Sequence, residues 1–300
     1  MKKTLVVMAA GMGSRFGGLK QITPVDCDGN FIIDYSVYDA KRAGFDKVVF
    51  VIKEENLKDF QTTIGKRLEK QIEVAYAFQR IEDIPSQMDV SSRQKPWGTV
   101  QAVLCARPYV DGSFVVINAD DFYGENAYVL ASEFLDSHQE PYTYACISYP
   151  FGVTKSDVGA VKRGVLTLKE NKITEIVESS IEAISKQKAL STPLDGSSSF
   201  EIDINAPVSM NMFAFQNDMF ELLEEYFQEY FQQDEEKILS GEALLPDCIK
   251  QNISSGVITI YNVVSNGKWL GMTYASDLEF VKKEFKKFKE EKCYPMHLWR

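Results

Sequence analysis

Short apolar runs alternate with amphipathic stretches through the first 121 residues. TLVVMAA (4–10) predicts a buried strand, and KVVFVIK (47–53), IEVAYAF (72–78) and SFVVINADD (113–121) predict three more. Between them lie IIDYSVYDAKRAGF (32–45, closed near Gly44), EENLKDFQTTIGKRLEK (54–70) and TVQAVLCARPYV (99–110), all with helical spacing. The resulting βαβαβαβ order predicts an α/β fold with a doubly wound, mainly parallel Rossmann-like sheet. In such sheets ligands sit at the carboxyl ends of the strands.

The second half is mixed. YTYACISYP (142–150), DVGAVKRG (157–164), KITEIVES (172–179), SMNMFAF (209–215) and GVITIYNVV (256–264) read as strands. A polar, serine-rich stretch, STPLDGSSSF (191–200), and a helical block over residues 218–239 interrupt them. In that block Phe220, Tyr226, Phe227, Tyr230 and Phe231 form a core-facing stripe. DLEFVKKEFKKFKEEK (277–292) predicts an amphipathic helix whose lysines make a solvated face. No repeat or linker divides the chain, so it reads as one domain with parts at 1–125, 126–276 and 277–300.

At 300 residues and 45% hydrophobic content the chain can bury a substantial core. The apolar run before Gly11 is too short for a signal peptide, and no later run reaches membrane-spanning length, so a cytoplasmic protein without membrane contact is expected. Five cysteines (Cys27, Cys105, Cys146, Cys248, Cys293) lack CxxC spacing, and with only His138 and His297 present a zinc site has little to build from. A net charge of −10 argues against nucleic acid as partner, because counterion displacement needs a basic face. A small polyanion remains admissible if local cations and a divalent metal offset the overall field.

The stretch VVMAAGMGSRFGGLKQITPV (6–25) supplies such cations. A dinucleotide fingerprint would need glycine where Phe16 stands, with an acidic residue ending the second strand roughly 20 residues on. A P-loop would need a hydroxyl residue after Lys20, and a helix rather than the following proline. What remains is a loop of small residues whose N–H groups can approach a phosphate, with Arg15 as a planar fork and Lys20 as a compact charge.

AAGMGSR followed by KQITPV resembles the signature of the sugar-phosphate nucleotidylyltransferases, the NDP-sugar pyrophosphorylases. YAFQ ending at Gln79, PWGTVQAV (96–103) and VINADDFYG (116–124) are similar to three further motifs of that family, in the same order. Weaker similarity runs through DVGAV, ITEIVES and VSMNMFAF to KWLGMTYASDL. The resemblance implies a fold of the nucleotide-diphospho-sugar transferase type, with a nucleotide-binding first half and an acceptor-binding second half. It further implies transfer between an NTP, pyrimidine base favoured, and a sugar-1-phosphate or related phosphate ester. Arg15 and Lys20 would be catalytic, and Asp120 would hold Mg²⁺. Ala10, Gly11, Gly13, Ser14, Gln79, Gly98 and Thr99 would contact the nucleotide, and Gly159, Glu178 and Asn211 the acceptor.

Two departures stand out. The family's E-K-P, whose lysine meets the sugar phosphate, reads Glu178, Ser179, Ser180 here, and its W-[LI]-D, the source of a second metal aspartate, ends at Gly271. Asp121, Asp203 and Asp277 are the candidate substitutes. Residues 80–95 form an insertion long enough for a flap over the base pocket, or for a surface excursion. The alternatives to an enzyme of this family are a nucleotide or NDP-sugar sensor that kept the fold, and a glycosyltransferase of related fold, although ADD lacks DxD spacing. Oligomeric state is not legible.

Overall fold

The structure, a computed structural model, describes residues 2–11, 24–156, 158–271 and 277–299. Strands β1 (Lys3–Met8), β2 (Lys47–Ile52), β3 (Glu73–Phe78) and β4 (Ser113–Asn118) are parallel and lie in the order β3-β2-β1-β4. β1 carries the unbroken run Leu5, Val6, Val7 and is buried throughout that run, as a strand covered on both faces must be.

After the short β5 (Asp121–Phe122), the second half adds β6 (Thr143–Pro150), β7 (Val161–Lys169), β8 (Lys172–Ala183), β9 (Lys188–Pro193), β10 (Phe200–Asp203), β11 (Pro207–Phe215), β12 (Thr259–Val264) and β13 (Leu270–Gly271). β11 runs antiparallel between β4 and β6, and β12 parallel beside β6. β7, β8, β9 and β10 form an antiparallel ribbon attached to this sheet through β11 and β12. Two large apolar clusters cover the sheet's two faces, one with Val7, Phe50 and Ile117, the other with Val6, Val49 and Val116. The alternating side chains of the same strands feed both.

Some elements differ from their sequence expectation. The serine-rich stretch contributes to the β9–β10 hairpin, where Ala189, Ser191 and Pro193 alternate inward. Small inward residues carry the strand period without large apolar ones, which is why hydropathy misses it. Helices Glu125–Ser137 and Leu245–Ser254 add to those expected. The helix over 54–70 is a series of 3₁₀, α, π and α turns, and the block over 218–239 is two helices, Met219–Tyr230 and Glu235–Ser240.

The closing helix, Asp277–Glu290, packs Val281, Phe285 and Phe288 against Val25, Tyr35, Phe122 and Leu270. Its lysines are not all solvated. Lys289 is only 5% exposed and donates from Nζ to Asp26 Oδ2 at 2.6 Å, Asp28 Oδ2 at 3.2 Å and the Met296 carbonyl at 2.9 Å. Asp26 also accepts from Asn30 Nδ2 and the Tyr35 hydroxyl. Burial pushes the Asp26 pKa up, but Lys289, Asn30 and Tyr35 outweigh it and hold the carboxyl below its ordinary range. The pair ties the chain's end to the segment that follows the glycine loop.

Lys289→Met should therefore strand a buried carboxylate and lower stability by about 3–5 kcal/mol at neutral pH in urea unfolding. Because the folded Asp26 pKa is depressed, its contribution is present above the unfolded value of about 4 and lost as pH falls through the folded one. The gap between variant and parent should accordingly narrow in acid.

Candidate active site

β1 and β4 are neighbours, but the chain leaves β1 toward β2 on one side while β4 adjoins β11 on the other. At such a switch point the connecting segments diverge and leave a crevice beyond the strand ends. A cavity of about 250 Å³ opens there. Met8, Ala10 and Gly11 line it from the end of β1, Asn118 and Asp120 from the end of β4, and Gln79 from the end of β3. Backbone bonds fix these ends relative to one another: Ala9 N–H to Val51 O, Gln79 N–H to Ile52 O and Ala119 N–H to Met8 O.

Pro96, Gly98, Thr99, Ala102 and Glu242 close the other wall. Gly98 precedes the helix Thr99–Ala106 and has φ +100°, a conformation other residues rarely adopt. A Cβ there would lie 2.5 Å from the Ala243 carbonyl, so the two segments approach as closely as backbone allows. Ala243 N–H donates to Trp97 O, Val100 N–H to Ala243 O, and Leu245 N–H to Thr99 Oγ1.

The insertion at 80–95 is anchored at several points. Arg93 lies over the Trp97 ring, 3.8 Å from its centroid, and sends its five N–H groups to the carbonyls of Lys95, Ile238, Leu239, Pro96 and Gly241. Trp97 Nε1 donates to Ile81 O, and Gln101 Nε2 to the carbonyls of Arg80 and Asp83.

At the opposite end the acidic groups gather. Asp121, next to Asp120, is buried on β5 and accepts from Asn118 Nδ2 at 2.9 Å. Burial, then the Asp120 charge, pushes its pKa up to about 7. Gly271 pairs with Asp121 across the β5–β13 ribbon, and a Cβ on it would strike the Trp269 ring and stand 3.0 Å from Asp121 Oδ1. The indole, not a carboxylate, therefore fills the space beside Asp121.

Trp269 carries on its face the guanidinium of Arg163, 8% exposed and 4.7 Å from the ring centroid. Arg163 donates to the carbonyls of Lys162 and Thr154, and its Nε has no partner among the described residues. Burial lowers its pKa, while the charges of Asp121 and Glu178 raise it. It stands opposite Ser179 in the β7–β8 pairing, one position along from Gly164 opposite Glu178. Glu178 Oε1 comes within 2.7 Å of where a Gly164 Cβ would be, so the glycine makes room for that carboxyl. Burial and Asp247 push the Glu178 pKa up to about 7, and Arg163 opposes them.

The donor set suits a hard divalent cation with few protein ligands. No cluster of three or more His, Cys, Asp or Glu side chains able to hold a metal occurs among the described residues. Mg²⁺ commonly takes one or two carboxylates and completes its shell with water and phosphate oxygens. The Asp120–Asp121 repulsion is a strain that a cation at Asp120 would relieve.

Six sequence-named residues thus line one cavity: Ala10, Gly11, Gln79, Gly98, Thr99 and Asp120. Gly13, Ser14, Arg15 and Lys20 lie outside the described residues. Glu178, Asn211 and Gly159 do not line the cavity; Asn211 has φ +59° within the register shift of β11, and Gly159 borders open space. Of the substitute carboxylates, Asp121 adjoins Asp120 in the chain, and Asp203 sits on β10 in the ribbon. Sequence reasoning missed Glu242 and Arg163. Neither belongs to a local motif, and each reaches its place only through tertiary pairing.

Gly98→Ala should cost about 1–3 kcal/mol through its backbone conformation. It should also push the 241–243 turn outward and raise KM for whatever substrate occupies the cavity more than it lowers kcat, which steady-state kinetics and urea unfolding would separate.

No helix among the described residues is long and apolar enough to cross a membrane. No curated relative matches the sequence significantly. Solved structures share its fold. The inositol-1-phosphate CTP transferase from T. maritima is 15% identical, with a TM-score of 0.62 over 96% of this chain and 97% of that one. A UDP-glucose pyrophosphorylase complexed with UDP-glucose is 18% identical, with a TM-score of 0.61 over 96% and 99%. At the level of sequence, residues 4–257 match the family described as Nucleotidyl transferase. With that match across most of its length, the chain belongs to the nucleotidyl transferase family and is an enzyme of that class.

Proposed function

We propose that this enzyme joins an NTP and a sugar-1-phosphate, or a related phosphorylated small molecule, to give an NDP-sugar and pyrophosphate with Mg²⁺ as cofactor. The observation that carries the reading is the convergence of the β1 end, Gln79, Gly98 and Asp120 on one cavity at the switch point. The names of the two structural neighbours support it, since one uses an inositol phosphate with CTP and the other was complexed with UDP-glucose.

In this reaction an oxygen of the acceptor phosphate forms a bond to the α-phosphorus, and the bond from that phosphorus to the bridging oxygen breaks. Pyrophosphate departs from the opposite side. The protein's task is to bring two anions into line and to stabilise charge on the leaving group. N–H groups of the segment beginning at Ala10 and Gly11 line the triphosphate, Arg15 holds its pyrophosphate portion, and Lys20 neutralises the α-phosphate or the incoming phosphate. Gln79 and Gly98 hold the base, and Glu178 and Asn211 orient the acceptor. Asp120 is the residue to hold Mg²⁺, which when bound offsets phosphate charge. On this reading residues 1–125 bind nucleotide and 126–276 the acceptor.

Pyrophosphate release with Mg²⁺ should be strong for one pairing when common NTPs are tested against sugar-1-phosphates, phosphocholine and polyol phosphates. Lys20→Ala and Asp120→Ala should each lower kcat/KM by about 10²- to 10³-fold with unchanged thermal unfolding. Near-parental rates in either variant would refute the roles given. Silence across the panel with nucleotide still bound would favour a sensor, for which the indole in place of a second carboxylate is the structural argument.

A further inference from the structure

Three aspartates with buried side chains, Asp26, Asp34 and Asp39, meet the closing helix and the segment 291–299 that follows it, and they are not built alike. Asp26 accepts from Lys289 Nζ, Asn30 Nδ2, the Tyr35 hydroxyl and the N–H groups of Asp28 and Asn30. Asp34 accepts from Arg67 Nε at 2.7 Å and Nη2 at 2.6 Å, from Phe31 N–H and from Trp299 Nε1. Each thus has a cation and several donors, as an ionised carboxylate needs once it leaves water.

Asp39, on the helix Ile32–Arg42, has neither. The Tyr294 hydroxyl donates to its Oδ2 at 2.6 Å, and Oδ1 has no partner among the described residues. Arg42 on the same helix acts on it favourably, but that guanidinium is half-exposed and pairs at 3.1 Å with Glu125, whose charge acts the other way. From the helix Glu125–Ser137 and from β6, Tyr128 and Tyr149 stand near enough for a charge on Asp39 to oppose their ionisation. Neither donates to it: Tyr149 gives its proton to the Tyr123 carbonyl, and the Tyr128 hydroxyl has no partner among the described residues. Charge at Asp39 would go uncompensated, and a carboxyl in that position keeps its proton instead. Burial pushes its pKa up to about 8.

We propose that Asp39 is a neutral carboxylic acid in the folded protein and that its proton latches the C-terminal segment, which docks on the protonated form and loosens as the group ionises. The proposal is independent of the nucleotidyl-transfer reading. Tyr294, itself 5% exposed, covers Asp39 while its ring lies edge-on to Tyr35 at 4.9 Å and to Tyr38 at 5.9 Å. Undocking brings water to the carboxyl and returns its pKa toward the ordinary value of about 4. Between that value and about 8 the docked state holds one proton more than the undocked state. Docking therefore weakens as pH rises through this window, by at most about tenfold per pH unit, and levels off above it. His297, whose Nδ1 lies 3.2 Å from Asp28 Oδ2, is the other group of the segment able to titrate there.

Hydrogen exchange read by mass spectrometry, corrected for the intrinsic pH dependence of amide exchange, tests this on the whole chain. The N–H groups of residues 291–294 bond the carbonyls of Lys287, Phe288 and Lys289 and report the docked segment. Their protection should fall by at least about tenfold between about pH 6 and 8 while peptides from β1 keep theirs. Asp39→Asn, neutral at every pH, should abolish that fall, and His297→Gln should retain it. Should Asp39→Asn not fold, Asp39→Leu takes its place. Constant protection of 291–294 in the parent overturns the proposal without any variant. A fall that persists in the neutral variant, or that vanishes in His297→Gln, overturns it as well, because the proton then belongs to another group.

Discussion

Five backbone carbonyls converge on Arg93, and the wall of the cavity depends on that convergence. Two belong to the insertion's last residue and the one after it, Lys95 and Pro96, and three to residues 238–241, far away in sequence. A guanidinium is the one side chain with five donors in a rigid plane, so it can satisfy two loops at once and fix the angle between them. With Arg93 in place, Trp97 is buried beneath it, Gly98 meets the Ala243 carbonyl, and Glu242 is carried to the cavity's mouth. Arg93 is buried without a direct salt bridge among the described residues, and burial lowers its pKa. The carbonyl dipoles and the indole face take the place of a counterion.

The two ends of the cavity are built by different physics. Around Gln79 and Gln101 each named donor meets an acceptor whose identity leaves no freedom, which makes a rigid wall. Around Asp120 the charges are not balanced in this way. Asp121 is raised by burial and then by the Asp120 charge, Arg163 Nε has no partner among the described residues, and Glu178 is raised by burial and then by Asp247. Such an end is costly in the free protein and is relieved by ligands that bring opposite charge.

The legible part of the fold was the part with a strong period. β1, β2, β3 and β4 are dominated by apolar runs, and their alternation with helices gave the parallel order. The β9–β10 hairpin was hidden because its inward residues are alanine, serine and proline, and the helix Glu125–Ser137 because its apolar stripe is thinned by alanine and serine. In the site, motif residues at strand ends were legible because a doubly wound sheet brings strand ends together whatever the loops do. Glu242 and Arg163 were not, since nothing near them in the chain marks them. Lys289 was misjudged with its fellow lysines: the helical period places it beside the buried Phe285 and Phe288, but only the docking of the tail supplies the carboxylates that make its burial possible.

That docking bears on the glycine loop itself. Beyond the glycine-rich stretch that follows β1, Val25 N–H bonds the Asn30 carbonyl and Asp26 accepts from Asn30, Tyr35 and Lys289. That segment is thus fastened by a residue more than 260 positions later in sequence. Phe122, immediately after Asp121, packs in the same cluster as Val25, Phe285 and Phe288. The closing helix therefore packs against both the segment after the glycine-rich stretch and the strand beside Asp120. On the proposed reading, a loop that handles phosphate needs fixed ends more than a fixed middle. The helix supplies one such fastening, at Val25–Asn30, without being among the residues that line the cavity.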